Sequence, residues 1–270
     1  MAGTPAMLKK LRALIAAAPA PAAPPPGIPA GERVYAIGDV HGRADLMADM
    51  IELVEADDAA RAPAQTTVIM LGDLVDRGPA SAGVIALARD WGMRRTVRYL
   101  QGNHEEMFLS SFTNDNVLRH FLRFGGRETL LSYPITPEEY HCTTLGELQD
   151  LMAQRVPRAD IAFMAAMENM IRIGDYVFVH AGIRPGVALD EQVVGDLRWI
   201  RGEFLDDASP RDFAVVHGHT ITPAPEVTPM RIGIDTGAYA SGQLTAIGLQ
   251  GTDRWLIATA GETRDEPGPG

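Results

Sequence analysis

The sequence predicts a layered α/β protein, and three observations carry that expectation. From Arg33 onward, short apolar runs rich in β-branched residues alternate with helical stretches, the rhythm of βα units. The early runs each end in a tight cluster of Gly, Asp, His or Asn. The chain has 270 residues, 46% apolar and 22% charged, a globular composition long enough to bury a core without disulfides.

Residues 1–31 read as a short helix or frayed arm on an Ala/Pro-rich linker, with Pro19 to Pro26 as a semi-rigid spacer. A secretory signal is not expected there, because the apolar run from Ala13 to Ala18 is shorter than such a core requires. The folded domain is expected at 32–261. Its strands are expected at Arg33–Gly38, Thr67–Gly72, Thr96–Gln101, Tyr176–His180, Phe213–His217, Arg231–Ile234, Leu244–Leu249 and Trp255–Ala258. Helices are expected at Ala44–Ala56, Ala80–Trp91, Glu105–Phe112, Val117–Phe124, Arg127–Ser132, Leu145–Gln154, Ala159–Met170 and Gly195–Phe204. The last three strands follow one another closely, separated by Gly and Asp, which predicts hairpins closing a second sheet. The helical stretch at about 105–174 reads as an insertion, either a lid over the site or a layer covering the sheet. The polar tail at 262–270 is expected to be disordered.

With 24 Lys and Arg against 35 Asp and Glu, the formal charge is −11, so no broad basic face for nucleic acid is expected. No run approaches the ~18–20 apolar residues of a transmembrane helix. The single cysteine, Cys142, fits a reducing compartment, and a cytoplasmic location is expected.

The polar clusters carry the chemistry. Asp39-Val40-His41, Asp73-Leu74-Val75-Asp76-Arg77, Asn103-His104-Glu105, His180 and His219 all follow strand candidates. Functional groups gather at the carboxyl ends of strands in α/β sheets, so these clusters should converge. Carboxylate, imidazole and amide donors without thiolate suit Mn²⁺, Fe²⁺ or Zn²⁺. Asp39 and His41, two apart on extended chain, would face one ion, and one carboxylate at Asp73 can bridge two. This many ligands exceeds the need of one ion and predicts a pair of divalent metals.

Gly38-Asp39-Val40-His41-Gly42, Gly72-Asp73-Leu74-Val75-Asp76-Arg77-Gly78, Gly102-Asn103-His104-Glu105, His180-Ala181-Gly182 and Gly218-His219-Thr220 resemble, in order, the five motifs of the calcineurin-like metallophosphoesterases. The Asp-Arg-Gly and Asn-His-Glu groups are similar to the PPP-type serine/threonine phosphatase branch. The resemblance implies a β-sandwich flanked by helices around a dinuclear centre. It gives the first ion to Asp39, His41 and Asp73, and the second to Asp73, Asn103, His180 and His219. It gives leaving-group protonation to His104, oriented by Asp76, and phosphate binding to Arg77, Asn103 and Arg201 of Trp199-Ile200-Arg201. Asp76-Arg77 could instead be a plain ion pair, and Arg201 an ordinary helix-end charge. Where many phosphodiesterases of the family carry Gly-His-X-His, this chain has Gly218-His219-Thr220-Ile221, which argues against cyclic-nucleotide hydrolysis. His217 reads as a supporting or structural residue, Asp235-Thr236-Gly237-Ala238 as a turn beneath the site, and Tyr239 as within reach of substrate.

The expectation is a phosphomonoesterase acting on phosphoserine and phosphothreonine in proteins. Its mechanism would be direct attack by a hydroxide bridging two metal ions, Mn²⁺ first among them with Fe or Zn as alternatives. Its partner would be a phosphoprotein or a phosphorylated small molecule. The alternative is hydrolysis of a dinucleoside polyphosphate such as diadenosine tetraphosphate, or of a nucleotide cap. The two would be separated by the groove beyond the phosphate, shaped by residues 106–174. A non-enzymatic scaffold is disfavoured because every expected ligand is present.

Overall fold

In a computed structural model, residues 24–260 are described. The arm up to residue 23 and the tail at 262–270 lie outside them. The strands are β1 (Glu32–Ile37), β2 (Gln65–Met70), β3 (Val97–Tyr99), β4 (Met170–Ile173), β5 (Tyr176–Val179), β6 (Ala214–His217), β7 (Glu226–Val227), β8 (Arg231–Gly233), β9 (Thr245–Gln250) and β10 (Asp253–Ala258). They form two five-stranded sheets, in the orders β10-β9-β1-β2-β3 and β4-β5-β6-β8-β7. Strands β1, β2 and β3 run parallel, as do β5, β6 and β8, while β9, β4 and β7 are antiparallel to their neighbours.

The alternation of side chains explains the layering. In β1, Val34 and Ala36 join Ile69, Leu71, Phe178, Val216, Ile232 and Ile247 in the apolar layer between the sheets. Tyr35 and Ile37 point the opposite way, into the core shared with the helices. Helix α1 (Ala44–Ala60) buries Leu46, Met47, Met50, Ile51 and Val54 there, and α2 (Ser81–Arg94) buries Val84, Ile85, Ala88 and Trp91. Both sets follow the i, i+3/i+4 stripe of a helix packed on a sheet. Helices α3 (Asn103–Ser111), α4 (Asp115–Phe121), α5 (Arg127–Ser132), α6 (Pro137–Cys142), α7 (Leu145–Arg155) and α8 (Arg158–Ala165) extend this layer. On the far side, α9 (Val194–Trp199) and α10 (Gly202–Leu205) pack Leu197, Ile200 and Phe204 on Val177, Val179 and Val215. A short α11 spans Ala238–Ser241. Among the described residues, no helix is long and apolar enough to cross a membrane.

Several boundaries differ from expectation for physical reasons. Strands β9 and β10 form the expected hairpin, but it completes the first sheet: β9 pairs with β1 and lays Ile247 and Leu249 in the layer between the sheets. The helix expected to reach Met170 ends at Ala165, and Met170 starts β4, a hairpin partner of β5 across Gly174 at φ +56°. The helix expected at Gly195–Phe204 is two helices, broken at Ile200 and Arg201 so that Leu197 and Phe204 reach one core. The short elements β7 and α6 were not anticipated. Ile28, assigned by sequence to the arm, is buried between the sheets, and its N–H donates to Gly251 O.

Candidate metal centre

Because β1, β2 and β3 are parallel, the loops after them leave one edge of the first sheet together. They deliver Asp39 and His41, Asp73 to Arg77, and Asn103 to Glu105. Parallel β5 and β6 deliver His180 and His219. Asp39, His41, Asp73, Asp76, Asn103, His104, His180 and His219 are all buried. The non-glycine residues with positive φ among those described are His41, Asp73, Asp76, Arg77 and His219, every one in this ring. Such backbone costs about 1–3 kcal/mol per residue and persists only where surrounding contacts enforce it.

Glu105 supplies much of that enforcement. Its buried carboxylate accepts from the backbone N–H of Leu74 at 2.7 Å, Asp73 at 2.9 Å, Val75 at 3.2 Å and Gly102 at 2.9 Å. Burial, followed by the neighbouring Asp73, raises its pKa. Glycine is needed at two close approaches: a Cβ on Gly102 would overlap Asp73 Oδ1, and one on Gly218 would overlap Asp39 Oδ1.

Asp73 is the hub. Its Oδ2 lies 3.4 Å from His180 Nε2, 3.6 Å from His41 Nε2 and 3.9 Å from His104 Nε2. Burial would raise its pKa, but His180 and then His104 more than offset this and hold it well below the carboxylate range. His41 Nδ1 donates to Val75 O at 2.9 Å and His180 Nδ1 to Leu71 O at 2.8 Å, a tautomer fixed by the hydrogen-bond pattern that turns both Nε2 atoms inward. Burial lowers His41 to about 3 and, with His180 next, His219 to about 2. Asp39, raised by burial and then by Asp235 and Asp73, accepts from His219 N–H at 3.0 Å.

These residues fit divalent cations. His219 Nε2 is buried without a hydrogen-bond partner. His180 Nε2 and Asn103 Oδ1 face each other at 3.0 Å, two acceptors that a shared cation or proton reconciles. His41, Asp73 and His104 form one group, and Asp73, His180 and His219 another, with ligand atoms within 4.8 Å of one another. The second group coincides with the expected second ion. The first contains His104 where the expectation placed Asp39.

His104 lies between Asp76 and Arg77. Its Nδ1 donates to Asp76 Oδ2 at 2.6 Å, and its Nε2 lies 3.2 Å from Arg77 Nη2. Burial would lower its pKa, but Asp73 and then Asp76 raise it above the usual histidine value, against Arg77. Asn103 and His104 open α3, two residues ahead of the helix start expected at Glu105, and helical geometry separates their side chains. The Asp76-Arg77 turn is gripped by the helical segment: Asp76 N–H donates to Thr129 Oγ1 at 2.8 Å, Thr129 Oγ1 donates to Asp76 Oδ1 at 2.7 Å, and Arg77 N–H donates to Gly125 O at 3.1 Å. The helix expected at Val117–Phe124 is regular only to Phe121; a wider turn over Leu122–Gly126 follows, kinked at Phe124 and at Gly125, where φ is +108°. Arg77 lies 4.8 Å over the Tyr239 ring, which meets His41 edge-on at 5.5 Å. Arg201 reaches the rim, donating to His219 O at 3.3 Å and Thr220 Oγ1 at 3.2 Å.

His217 is not part of the ring; it packs on Phe204, and burial lowers it to about 4. Sequence reasoning quoted Glu105 but gave it no task, although a Glu three residues after Gly102 is a helix-start capping signature. It read Gly125-Gly126 only as a helix break and missed the contacts of Gly125 to Arg77 and of Thr129 to Asp76, which carry no local signal.

The calcineurin-like phosphoesterase family profile matches residues 32–244. The chain is 30% identical over 236 residues, 78% of its length and 88% of the relative's, to the asymmetrical bis(5′-nucleosyl)-tetraphosphatase PrpE of Anoxybacillus flavithermus. It is 29% identical over 234 residues, 77% of its length and 87% of the relative's, to the protein of the same name from Bacillus subtilis. Among solved structures, a putative diadenosine tetraphosphatase superposes with a TM-score of 0.60 at 20% identity, covering 88% of this chain and 99% of the other. A cold-active protein-tyrosine phosphatase from a psychrophilic Shewanella species superposes with a TM-score of 0.54 at 18% identity, covering 86% and 83%. These two structural likenesses concern the fold.

Proposed function

This chain belongs to the calcineurin-like phosphoesterase family, and on that footing we propose that it hydrolyses dinucleoside tetraphosphates, splitting the phosphate bridge off-centre into a nucleoside monophosphate and a nucleoside triphosphate. The expectation of phosphoserine and phosphothreonine substrates is corrected: the relatives aligned along more than three-quarters of the chain are tetraphosphatases, which was the alternative reading. The alignment with the Anoxybacillus enzyme is the observation that carries the proposal.

Asp39, His41 and Asp73 would hold one divalent ion, and Asp73, Asn103, His180 and His219 a second. Such ions supply Lewis-acid stabilisation of phosphoryl oxygens and activation of water; the nitrogen and oxygen donors suit Mn²⁺. Arg77 and Arg201 flank this centre and clamp the phosphoryl oxygens of the substrate, which meets locally positive charge on an acidic protein. At rest, His104 Nε2 accepts from Arg77. A phosphoryl oxygen that takes over the guanidinium frees Nε2 to take up a proton from solvent and pass it to the leaving oxygen, while Asp76 holds Nδ1–H. One P–O–P bond breaks, the water oxygen joins phosphorus, and the proton goes to the departing phosphate.

The test incubates the protein with Mn²⁺ and diadenosine tetraphosphate and separates the products by ion exchange. Equal amounts of AMP and ATP are expected. Intact substrate would refute the reading, and ADP alone would refute off-centre cleavage.

A further inference from the structure

Beside the metal ligands lies a groove of about 400 Å³, lined by Glu106, Met107, Ser110, Val117, His120 and Trp199 among others. Its inner end starts two residues from His104 on one side, at Glu106, and two from Arg201 on the other, at Trp199. The Trp199 indole is fixed: its Nε1–H donates to Glu106 Oε2 at 2.9 Å, and 40% of the residue stays exposed. Buried Met107 and half-buried Val117 give the groove an apolar floor, while Ser110 and His120 offer polar atoms at its edge. None of the described residues lining it is Lys or Arg, and Glu106 is its one acidic lining residue. Glu106 is balanced by Arg198 at 3.6 Å, so the lining offers a phosphate chain no free cation and suits an uncharged, planar, hydrogen-bonding group better. The volume is that of a small-ligand site, and a rigid exposed indole is a stacking platform for bases of any sequence.

We infer that this groove seats a nucleobase of the substrate, stacked on Trp199, so that the nucleoside bound directly to the phosphate at the metal ligands is the one recognised. The inference rests on the functional reading above. A phosphate beside His104 and Arg201 and a base at Trp199, each two residues along the chain from the other's neighbours, would belong to one nucleotide joined by a single ribose. A seat so close to the ligands selects the terminal phosphate of the bridge, and it gives off-centre cleavage a structural cause.

Tryptophan fluorescence tests the seat without turnover, since Trp91 is buried and Trp255 is covered by Arg61. In the Mn²⁺-loaded protein, AMP should quench the emission, ribose 5-phosphate should not, and Trp199→Phe should abolish the AMP response. Quenching that survives in Trp199→Phe, or that ribose 5-phosphate produces equally, would overturn the seat. In turnover, the ratio of kcat/KM for diadenosine tetraphosphate to that for p-nitrophenyl phosphate should fall ten-fold or more in Trp199→Ala, about 1.4 kcal/mol. It should fall similarly in Ser110→Phe, which fills the groove from an exposed position, and recover in Trp199→Phe. An unchanged ratio in both Trp199→Ala and Ser110→Phe would overturn the inference. A wild-type protein that cleaves p-nitrophenyl phosphate but not diadenosine tetraphosphate would instead overturn the functional reading, and the AMP quench would still decide the seat.

Discussion

Around Asp73 the backbone is strained and each side chain is held from several directions, whereas in the helices from Asp115 to Ala165 the backbone is relaxed and most helices are capped locally. His41, Asp73, Asp76, Arg77 and His219 all adopt positive φ. Their stability comes from contacts distant in sequence: Glu105 on Asp73, Thr129 on Asp76, and Asp39 on the His219 N–H. In the helical segment, Asn114, Thr136 and Thr144 cap the helices they begin, and Glu139 and Glu147 complete capping boxes three residues on. Chemistry is thus built where the chain is over-determined, and the helices can vary around it. The two regions meet at Gly125 and Thr129, the points where the helical layer reaches the Asp76-Arg77 turn.

Substitutions should separate the two regions by size of effect. Asp73→Asn removes the hub, and turnover should fall by about 10³-fold or more, about 4 kcal/mol, with bound metal lost in parallel by elemental analysis. Full metal content in that variant would break the picture of a shared carboxylate. His104→Asn should lower kcat by roughly 10²-fold, at the modest end of general acid effects because the leaving group is a phosphate that needs little protonation. The wild-type rate should fall on the alkaline side. A histidine raised above its ordinary value carries its proton below the raised pKa and loses it as pH rises through that value. Asp76→Asn withdraws a carboxylate that raises it, so the alkaline limb should move to lower pH; a limb that stays in place would remove Asp76 from the role.

Glu105→Gln should be felt first as stability. Replacing a carboxylate that accepts four backbone N–H groups leaves some unpaired, at about 1–3 kcal/mol, or roughly 2–4 °C in Tm per kcal/mol. An unchanged melting curve would mean that the strained loop is held by something else. The smallest effect is expected in the helical region: Thr136→Ala loses a cap worth about 1 kcal/mol and should leave turnover unaltered. A loss of activity there would erase the contrast between the regions.

The same contrast explains how much could be read from the sequence. The ring was legible because strand-end chemistry is local: a β-branched run ending in Gly-Asp or Gly-Asn-His marks both the strand and the ligand. His41, His180 and His219 gather with Asp73, Asp39 joins through the His219 N–H and Asn103 through His180, while His104 enters the group in which Asp39 was expected. The roles of Thr129 and Gly125 were invisible because they lie in contacts to Asp76 and Arg77 some fifty residues away. The hairpin of β9 and β10 was legible as a hairpin, but its sheet was decided by pairing with β1, which adjacency in sequence does not encode. The helix break at Gly125-Gly126 was legible from its glycines, whereas the break at Arg201 follows from tertiary demands on side chains, the point at which local propensity is overridden. Substrate class was the least legible, since the motifs around phosphorus are shared and the groove at Trp199 is assembled from α3, α4 and the end of α9.

Titration of metal-free protein with Mn²⁺, following diadenosine tetraphosphate hydrolysis at each addition, addresses the central claim most directly. Activity should be absent at the start, rise with added metal and level off at two ions per chain. Full activity before any metal is added, or a plateau at one ion, would contradict a dinuclear centre organised around Asp73.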